Sequence, residues 1–537
     1  MRIDPRMPPY EDCVIPALLD RRAREAPDQV FAVFEGGKVF THAALQGEVR
    51  RCAAALQQLG VRQGEHVLCW LPNGPGAVVI TFALAYLGAV YSPINTGYRG
   101  GLLQHVVQDA GAELMIADAS LVPRLADVAT AQLRRVVVCN GEPPAAWPGL
   151  QLLREDVLRA DPEQLRPPER AICPWDTLGV IYTSGTTGPS KGVLVSSVQV
   201  HQNYLSNGQW TADDRALIAL PLFHMAGVGL AWSALMRGGS FAMVDSFRTQ
   251  DFWDKVRQTG ATNTTLLGVM CSFLLKAPAT PADRDHPLRR AMCVPLSDQH
   301  AEFTRRFGVD IYTAWNMTET SSPLFAGPSP GAPGTCGRPR PGVQVRIVDD
   351  NDCELPVGEV GELMVRADMP FALSHGYHRN PEATARAWRN GWFHTGDAFR
   401  RDEHGNHFFV DRLKDAIRRR GENISSFEVE KEILAHPGVR DAAVVAVASE
   451  HGEDEVLAVV CPVDGGAVDC EDLVRFLQPR LARFMVPRYV RVLDDLPRTP
   501  TNKVQKHLLR AEGLAAGTWD REAAGIVLER ERFGRVS

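Results

Sequence analysis

The sequence lacks a long apolar run, an excess of one charge and paired cysteines. Its longest apolar stretch extends from Gly76 to Tyr91, is interrupted by Thr81 and is shorter than the ~20 residues of a membrane span. We therefore expect a buried helix there, after the turn at Asn73-Gly74-Pro75. The N-terminal residues also lack the apolar segment of a secretory signal, so we expect a cytoplasmic protein.

Charge and cysteine spacing exclude several other classes. The formal net charge is −6 over 537 residues, which does not favour nucleic acid or an anionic membrane as a partner. The eleven cysteines show neither Cys-x-x-Cys pairs nor zinc-ligand spacing, so they predict reduced thiols rather than disulfides or a metal site. A chain of this length exceeds one typical hydrophobic core, and we expect at least two domains.

The hydrophobic pattern predicts an α/β fold for most of the chain. Up to about residue 410, short β-branched segments alternate with helical patterns, which is typical of layered, mostly parallel sheets. The clearest strands are His66–Leu71, Val136–Cys139, Leu178–Thr183, Ala216–Leu220 and Asp310–Ala314, and the clearest helices are Leu45–Leu59, Gly101–Ala110 and His300–Phe307.

The pattern changes after Arg412 and predicts a small α+β domain there. The predicted elements are strands at Val439–Ala448, Glu455–Val463 and Tyr489–Leu493, and a helix at Cys470–Arg483. We therefore place the domains at residues 1–411 and 412–537. The tail after Glu512 is polar and compatible with a helix.

The most informative segment is the loop after the predicted strand that ends at Thr183. Residues 184 to 192 contain four hydroxyl side chains, three glycines and one lysine, Lys191. Glycines allow close backbone approach and hydroxyls donate over a range of angles, so this loop suits a polyphosphate. Its order differs from the P-loop, which needs Gly, four residues and then Gly-Lys-Ser/Thr. Alone, the segment is equally consistent with a surface turn.

Four further segments follow the loop in a fixed order. They are Pro221-Leu222-Phe223-His224-Met225-Ala226-Gly227, Trp315-Asn316-Met317-Thr318-Glu319-Thr320, Gly391-Trp392-Phe393-His394-Thr395-Gly396-Asp397 with Arg412-Leu413-Lys414-Asp415 behind it, and Pro497-Arg498-Thr499-Pro500-Thr501-Asn502-Lys503-Val504-Gln505-Lys506. With the loop, they resemble the adenylate-forming superfamily over nearly the whole chain. Within it the chain is similar to acyl-CoA synthetases, and loosely to crotonobetaine/carnitine-CoA ligases.

The resemblance implies a fold and a reaction. The fold would be a large N-terminal domain that binds AMP and the acyl group, with a small mobile C-terminal domain. The reaction would join a carboxylic acid to the α-phosphate of ATP, release pyrophosphate and transfer the acyl group to CoA, with Mg²⁺ as cofactor. We expect no nucleic-acid partner, and leave open whether the chain is a homodimer.

The resemblance also implies residue roles in adenylate formation. Thr318 would contact the α-phosphate, Glu319 would hold Mg²⁺, and Lys503 would be the catalytic cation. Asp397, supported by Arg412, would bind the ribose, with Trp315 against the adenine. The residues implied around the β- and γ-phosphates are Thr183, Ser184, Gly185, Thr186, Thr187, Gly188 and Lys191.

A second set of roles concerns the thioester step. Lys414 would be the hinge about which the C-terminal domain turns, Gly421 would line the pantetheine tunnel and His224 would gate it. Each role has an alternative. His224 could be a structural histidine, Trp315 a simple core residue, and Glu319 and Asp397 solvated carboxylates. Residues 418–420, three arginines, predict a solvated basic face or a phosphate contact, and Lys506 a surface charge.

Two departures from the family pattern bear on the acyl pocket. Asn316 stands where glycine is common, so it should narrow the pocket and bring in an amide that needs partners. A buried amide without partners costs about 1–3 kcal/mol, which disfavours a purely hydrocarbon tail. Val294 lies in a segment, Met292-Cys293-Val294-Pro295, where many members have two glycines. We therefore expect a short or polar acid; a medium- or long-chain fatty acid, or a separate carrier protein as acceptor, are the alternatives.

Overall fold

The computed structural model describes residues 4–130, 132–183, 190–206, 210–413, 417–419, 422–448, 454–481, 485–498, 503–526 and 528. Its α-helices are α1 (Tyr10–Cys13), α2 (Ile15–Glu25), α3 (His42–Gln58), α4 (Pro75–Leu87), α5 (Gly100–Ala110), α6 (Ser197–Ser206), α7 (Met225–Arg237), α8 (Phe252–Thr259), α9 (Gly268–Lys276), α10 (His300–Phe307), α11 (Pro381–Ala387), α12 (Ser426–Leu434), α13 (Cys470–Leu477) and α14 (Lys506–Glu512). Within the described ranges, no helix combines the length and apolarity that a bilayer span requires.

The strands are numbered in chain order. They are β1 (Val30–Phe34), β2 (Val39–Thr41), β3 (His66–Trp70), β4 (Val90–Pro93), β5 (Leu114–Asp118), β6 (Arg135–Cys139), β7 (Gln151–Arg154), β8 (Thr177–Thr183), β9 (Lys191–Ser196), β10 (Arg215–Ile218), β11 (Ser240–Met243), β12 (Asn263–Leu267), β13 (Arg290–Val294), β14 (Asp310–Met317), β15 (Ser321–Ala326), β16 (Thr335–Pro339), β17 (Val343–Val348), β18 (Gly361–Ala367), β19 (Trp388–Arg389), β20 (Trp392–Arg401), β21 (His407–Arg412), β22 (Ile417–Arg419), β23 (Glu422–Ile424), β24 (Val439–Ala448), β25 (Asp454–Pro462), β26 (Tyr489–Val492) and β27 (Trp519–Asp520).

Two large sheets form the N-terminal domain. One has the order β7-β6-β5-β3-β4-β8-β9, parallel except for β9, which returns antiparallel to β8. The other runs from β17 to β2 and has a parallel centre, β14-β13-β12-β10-β11-β1. Phe31 packs edge-on against Phe82 and Phe241 in the largest core cluster, which joins residues of both sheets to α3, α4 and α7.

The carboxyl ends of parallel strands place the functional segments. In the second sheet β10, β12, β13 and β14 are neighbours, so the segments that follow them meet at one edge. In open α/β sheets this edge is where ligands bind. The predicted α/β fold is thus confirmed, and α10 and β24 have the predicted bounds. The apolar stretch from Gly76 to Tyr91 is α4 followed by the start of β4, since Gly88 ends the helix in a left-handed conformation.

The small C-terminal domain is built on the sheet β24-β25-β26-β27 with the hairpin β22–β23. The prediction for its helix α13 is wrong at one end, since α13 ends at Leu477 rather than Arg483. Within residues 513–526, the tail contributes the short strand β27. The tail strand forms because Asp520 pairs with Arg488, whose guanidinium lies 3.2 Å from Oδ2. The boundary between residues 411 and 412 stays a prediction.

Candidate active site

The hairpin β8–β9 carries the two ends of the predicted phosphate loop. Thr183 and Lys191 are paired in its last register position, and the Thr183 hydroxyl donates to the Lys191 carbonyl at 3.4 Å. The ammonium group of Lys191 lies 4.7 Å from the centroid of the Tyr377 ring. The other predicted loop residues, Ser184, Gly185, Thr186, Thr187 and Gly188, lie outside the described residues.

Thr318 and Glu319 lie in the turn between β14 and β15. The backbone of this turn accepts hydrogen bonds from two other segments. The Gln199 side-chain amide donates to the Thr318 carbonyl at 2.7 Å, and the Ser374 amide donates to the Glu319 carbonyl at 2.7 Å. The Glu319 side chain is buried, and its Oε1 accepts a hydrogen bond from the Tyr377 hydroxyl at 2.9 Å. Burial and the Glu319 charge raise the pKa of Tyr377, so its hydroxyl stays a donor.

Gln199 and Tyr377 are functional candidates that the sequence reasoning missed. Neither lies in a segment with a recognisable pattern, and Tyr377 is 58 residues from Glu319 along the chain. The one available signal for Tyr377 was Lys191, because a lysine charge in a binding site needs a neighbouring group that stabilises it. An aromatic face provides that without neutralising the charge.

The structure brings Trp315, Asp397 and Arg412 together. The Trp315 indole N–H donates to Asp397 Oδ2 at 3.2 Å, and Arg412 Nε lies 3.8 Å from Oδ1. Asp397 and Arg412 are paired residues of β20 and β21, so the sheet register itself fixes the ion pair. Trp315 also packs edge-on against Phe399 with ring centroids 5.3 Å apart, so it is a core residue as well as a hydrogen-bond donor.

Lys503 joins this group from the C-terminal domain. It lies beside Val504, which forms a bridge with Arg498. The residue is exposed, but its ammonium group lies among protein atoms that exclude part of the water, and this burial lowers its pKa. The charge of Arg412 lowers that pKa further, while Glu319 and Asp397 raise it. Charged side chains from both domains therefore lie close enough to influence one another.

His224 directly precedes α7 and lies near enough to Lys503 to be affected by its charge. Burial, and secondarily the charge of Lys503, lower its pKa to about 4. Its Nε2 is buried without a hydrogen-bond partner among the described residues. An uncharged imidazole next to a cation fits a wall that borders the reacting groups better than a structural histidine, which would be expected to have both nitrogens paired.

The predicted acyl-pocket residues lie where β12, β13 and β14 end. Val294 is half-buried, packs beside Met292 and Tyr312, and is paired with Leu267, which is 41% exposed. A Cβ on Gly268 would lie 2.8 Å from the Pro295 carbonyl oxygen, so this glycine allows the strand ends to approach.

Asn316 requires a correction. Its side chain is exposed rather than buried, because it points away from the core to which its neighbour Trp315 belongs. The desolvation penalty assumed for its amide therefore arises only when a substrate covers it.

Two other predicted functional positions, Lys414 and Gly421, lie outside the described residues. The prediction of a solvated basic face at residues 418–420 is wrong for Arg419. Its side chain is buried, with Nε 2.8 Å from Glu455 Oε2 and Nη1 donating to the Val486 carbonyl. This arginine is therefore structural, since a buried guanidinium paired in this way is not available to a phosphate.

Family models match both parts of the chain. The model described as AMP-binding enzyme matches residues 19–378, and the model of the AMP-binding enzyme C-terminal domain matches residues 428–503. The chain belongs to the AMP-binding enzyme family. It is an AMP-forming ligase of the acyl-CoA synthetase type.

Curated relatives and solved structures agree with this membership. The crotonobetaine/carnitine–CoA ligase of Salmonella typhi is 32% identical over 493 residues, covering 88% of this chain and 93% of that protein. ATP-bound MatB from Rhodopseudomonas palustris is 29% identical with a TM-score of 0.77, covering 92% of this chain and 98% of that one. The o-succinylbenzoate CoA synthetase of Bacillus subtilis, in complex with its acyl-adenylate intermediate, is 25% identical with a TM-score of 0.79, covering 92% and 97%.

Proposed function

We propose that the enzyme activates a short or polar carboxylic acid with ATP and transfers it, through an acyl adenylate, to CoA. The observation that carries this proposal is the meeting of Lys503 with Glu319, Asp397 and Arg412 in one cleft. Both reactants of the first step are anions, so positioning and charge neutralisation supply most of the rate.

The first step assigns a role to each side chain in the cleft. The substrate carboxylate attacks the α-phosphorus, the bond to the bridging oxygen breaks, and pyrophosphate leaves. Lys503 neutralises the carboxylate and the developing charge, and Thr318 contacts the α-phosphate. Asp397 accepts hydrogen bonds from the ribose, held in place by Trp315 and Arg412. The loop from Thr183 to Lys191 surrounds the departing phosphates.

Glu319 is the residue proposed to hold Mg²⁺. The described residues contain no group of three or more side chains able to bind a metal on their own. This fits Mg²⁺ in nucleotide enzymes, which is usually held by one or two carboxylates and the substrate phosphates. Tyr377 donates to Oε1 of Glu319 and leaves Oε2 for the cation. When bound, the ion would neutralise phosphate charge.

The second step needs the C-terminal domain to turn, which removes Lys503 and admits the CoA thiol. The sulfur attacks the acyl carbon, AMP leaves, and a thioester forms. We propose Lys414 as the hinge within a C-terminal domain of residues 412–537, with Gly421 lining the tunnel and His224 as its gate. A neutral His224 suits the gate, since it adds no charge beside a thiolate.

A screen of carboxylic acids tests the proposal. Pyrophosphate release and thioester formation would be measured with and without CoA for butyrate, crotonate, betaine acids and palmitate. We expect fast turnover of the short or polar acids and thioester formation with CoA. Faster turnover of palmitate would exclude the proposed acid class. Pyrophosphate release without a thioester would instead favour an adenylation enzyme that serves a separate carrier protein.

A further inference from the structure

A buried polar chain connects the two domains next to the catalytic lysine. Asp411 is the penultimate residue of β21, and its Oδ2 accepts from both the backbone N–H and the hydroxyl of Ser426, each at 2.6 Å. The same hydroxyl accepts from Nζ of Lys506 at 2.6 Å. A serine hydroxyl has one proton to give and lone pairs to receive, so both bonds form at once.

The Lys506 side chain is deeply placed rather than being the surface charge that the sequence predicted. It is 17% exposed, and its ammonium group lies 2.7 Å from Oε1 of Glu430, which is 15% exposed. Glu430 Oε1 also accepts from the Val444 amide, so the pair is fixed to the central sheet of the small domain. Burial raises the pKa of Glu430, and the charge of Lys506 offsets only part of this rise.

The position of Lys506 on its own helix is unfavourable. It is the first residue of α14, where the helix dipole repels a positive charge. The contacts to Glu430 and Ser426 offset this repulsion. A lysine at this position therefore stabilises the contacts with Glu430 and Ser426 of α12, and does not stabilise α14 itself.

Lys506 follows Lys503 by three residues, and Asp411 directly precedes Arg412, which pairs with Asp397. Ser426 and Asp411 lie on opposite sides of the segment 412–425, within which the domain is proposed to turn. A turn of the small domain about the proposed hinge, Lys414, would therefore move Ser426 away from Asp411.

We propose that Lys506 is a positioning residue for Lys503, and that the Asp411–Ser426–Lys506 chain holds the small domain in the adenylate-forming arrangement only. The inference rests on the proposed function, because it assumes two steps with different domain orientations. Loss of these contacts should therefore slow adenylate formation and leave thioester formation unchanged.

Separate assays of the two steps test this. Pyrophosphate release without CoA reports adenylate formation, and preformed acyl adenylate with CoA reports thioester formation. In Lys506→Met we expect the first rate to fall about tenfold and the second to stay within about threefold, because only the adenylate-forming orientation uses the Asp411–Ser426 contact that Lys506 holds in place. Ser426→Ala should act in the same direction with a smaller loss, and Lys506→Arg should recover most of the rate.

Lys431→Met is the matched control. Lys431 is on α12, the helix of Ser426, and its Nζ lies 2.8 Å from Asp298 Oδ2 of the N-terminal domain. Both side chains of that pair are more than half exposed, so the contact contributes little, and both rates should be unchanged. A loss in Lys431→Met equal to that in Lys506→Met would overturn the proposal.

A double variant removes dependence on the thioester assay. If Lys506 acts by placing Lys503, Lys506→Met should lower the residual adenylation rate of Lys503→Ala no further. An additive loss, an equal loss of both steps in Lys506→Met, or an unchanged adenylation rate would each overturn the proposal. Failure of the wild-type enzyme to form a thioester would count against the proposed function alone, and the double variant would still decide the role of Lys506.

Discussion

The hydroxyl of Tyr377 donates a hydrogen bond to Oε1 of Glu319 at 2.9 Å. The ring of the same tyrosine lies 4.7 Å from the ammonium group of Lys191. One side chain therefore contacts both the carboxylate proposed to hold the cation and the lysine at the end of the loop proposed to bind phosphate.

Tyr377→Phe separates these two contacts, because it removes the hydroxyl and keeps the ring over Lys191. We expect pyrophosphate release at limiting Mg²⁺ to fall about tenfold, since a hydrogen bond to a charged group contributes about 1.5–3 kcal/mol. Initial rates over a range of Mg²⁺ concentrations measure this. Tyr86→Phe is the control, because Tyr86 of α4 donates to Asp20 of α2, outside the segments assigned to the site. An unchanged Mg²⁺ dependence would contradict the role of Tyr377.

Lys503→Ala should abolish adenylate formation, with a loss of about 10²–10³-fold or more, as expected for removing a charge that stabilises the transition state. Thioester formation from preformed acyl adenylate should remain. Because burial and Arg412 lower the pKa of Lys503, adenylation in the wild type should also decline at a pH below the ordinary lysine value of 10.5. Equal loss of both steps would refute the two-orientation mechanism.

Asn316→Gly should enlarge the acyl pocket and move the preference toward longer acids. Each methylene that becomes buried contributes about 0.8 kcal/mol, or roughly fourfold in kcat/KM. The ratio of kcat/KM for hexanoate over butyrate measures the shift. Leu267→Ala, at the end of β12 two strands away in the sheet, tests whether any loss of bulk gives the same result. An unaltered ratio in Asn316→Gly would place this residue outside the pocket.

We expect His42 to make folding stability sensitive to acid. Its ring is buried against Phe31, and burial lowers its pKa from 6.5 to about 4. Between these values the unfolded chain binds a proton that the folded protein does not, so stability falls as the pH drops, by about 3 kcal/mol in total. His42→Leu should flatten the decline in urea midpoint between pH 7 and 4.5, and His404→Leu, at an exposed histidine, should not. A decline as steep in His42→Leu as in the wild type would exclude His42 as its source.

The sequence predicted elements well where a local pattern determines them. The strand β24 contains an unbroken apolar run from Ala442 to Ala448, and α10 has an apolar face and a glycine behind it, so both bounds are correct. The short strand β27 was missed because only its partner β26 and the Arg488–Asp520 pair make it a strand.

The candidate site divides in the same way. Trp315, Glu319, Asp397, Arg412 and Lys503 stand in recognisable segments, and the structure brings them together. Tyr377, Gln199 and Ser426 act through single hydroxyl or amide groups whose partners are distant in the chain. Lys506 was mistaken for a surface charge, because its neighbour Glu430 belongs to another helix. Contacts of this kind exist only in the folded chain.

The strand β1 pairs in parallel with β11, about 200 residues later in the chain. During synthesis at about 5–20 residues per second, β1 therefore stays without this partner for roughly 10–40 s. The Phe31 cluster is incomplete over the same interval, because Phe241 is part of it. The second large sheet can close only after most of the first has left the ribosome, so a ribosome-bound chain that ends before residue 240 should expose the apolar face of β1 to chaperones.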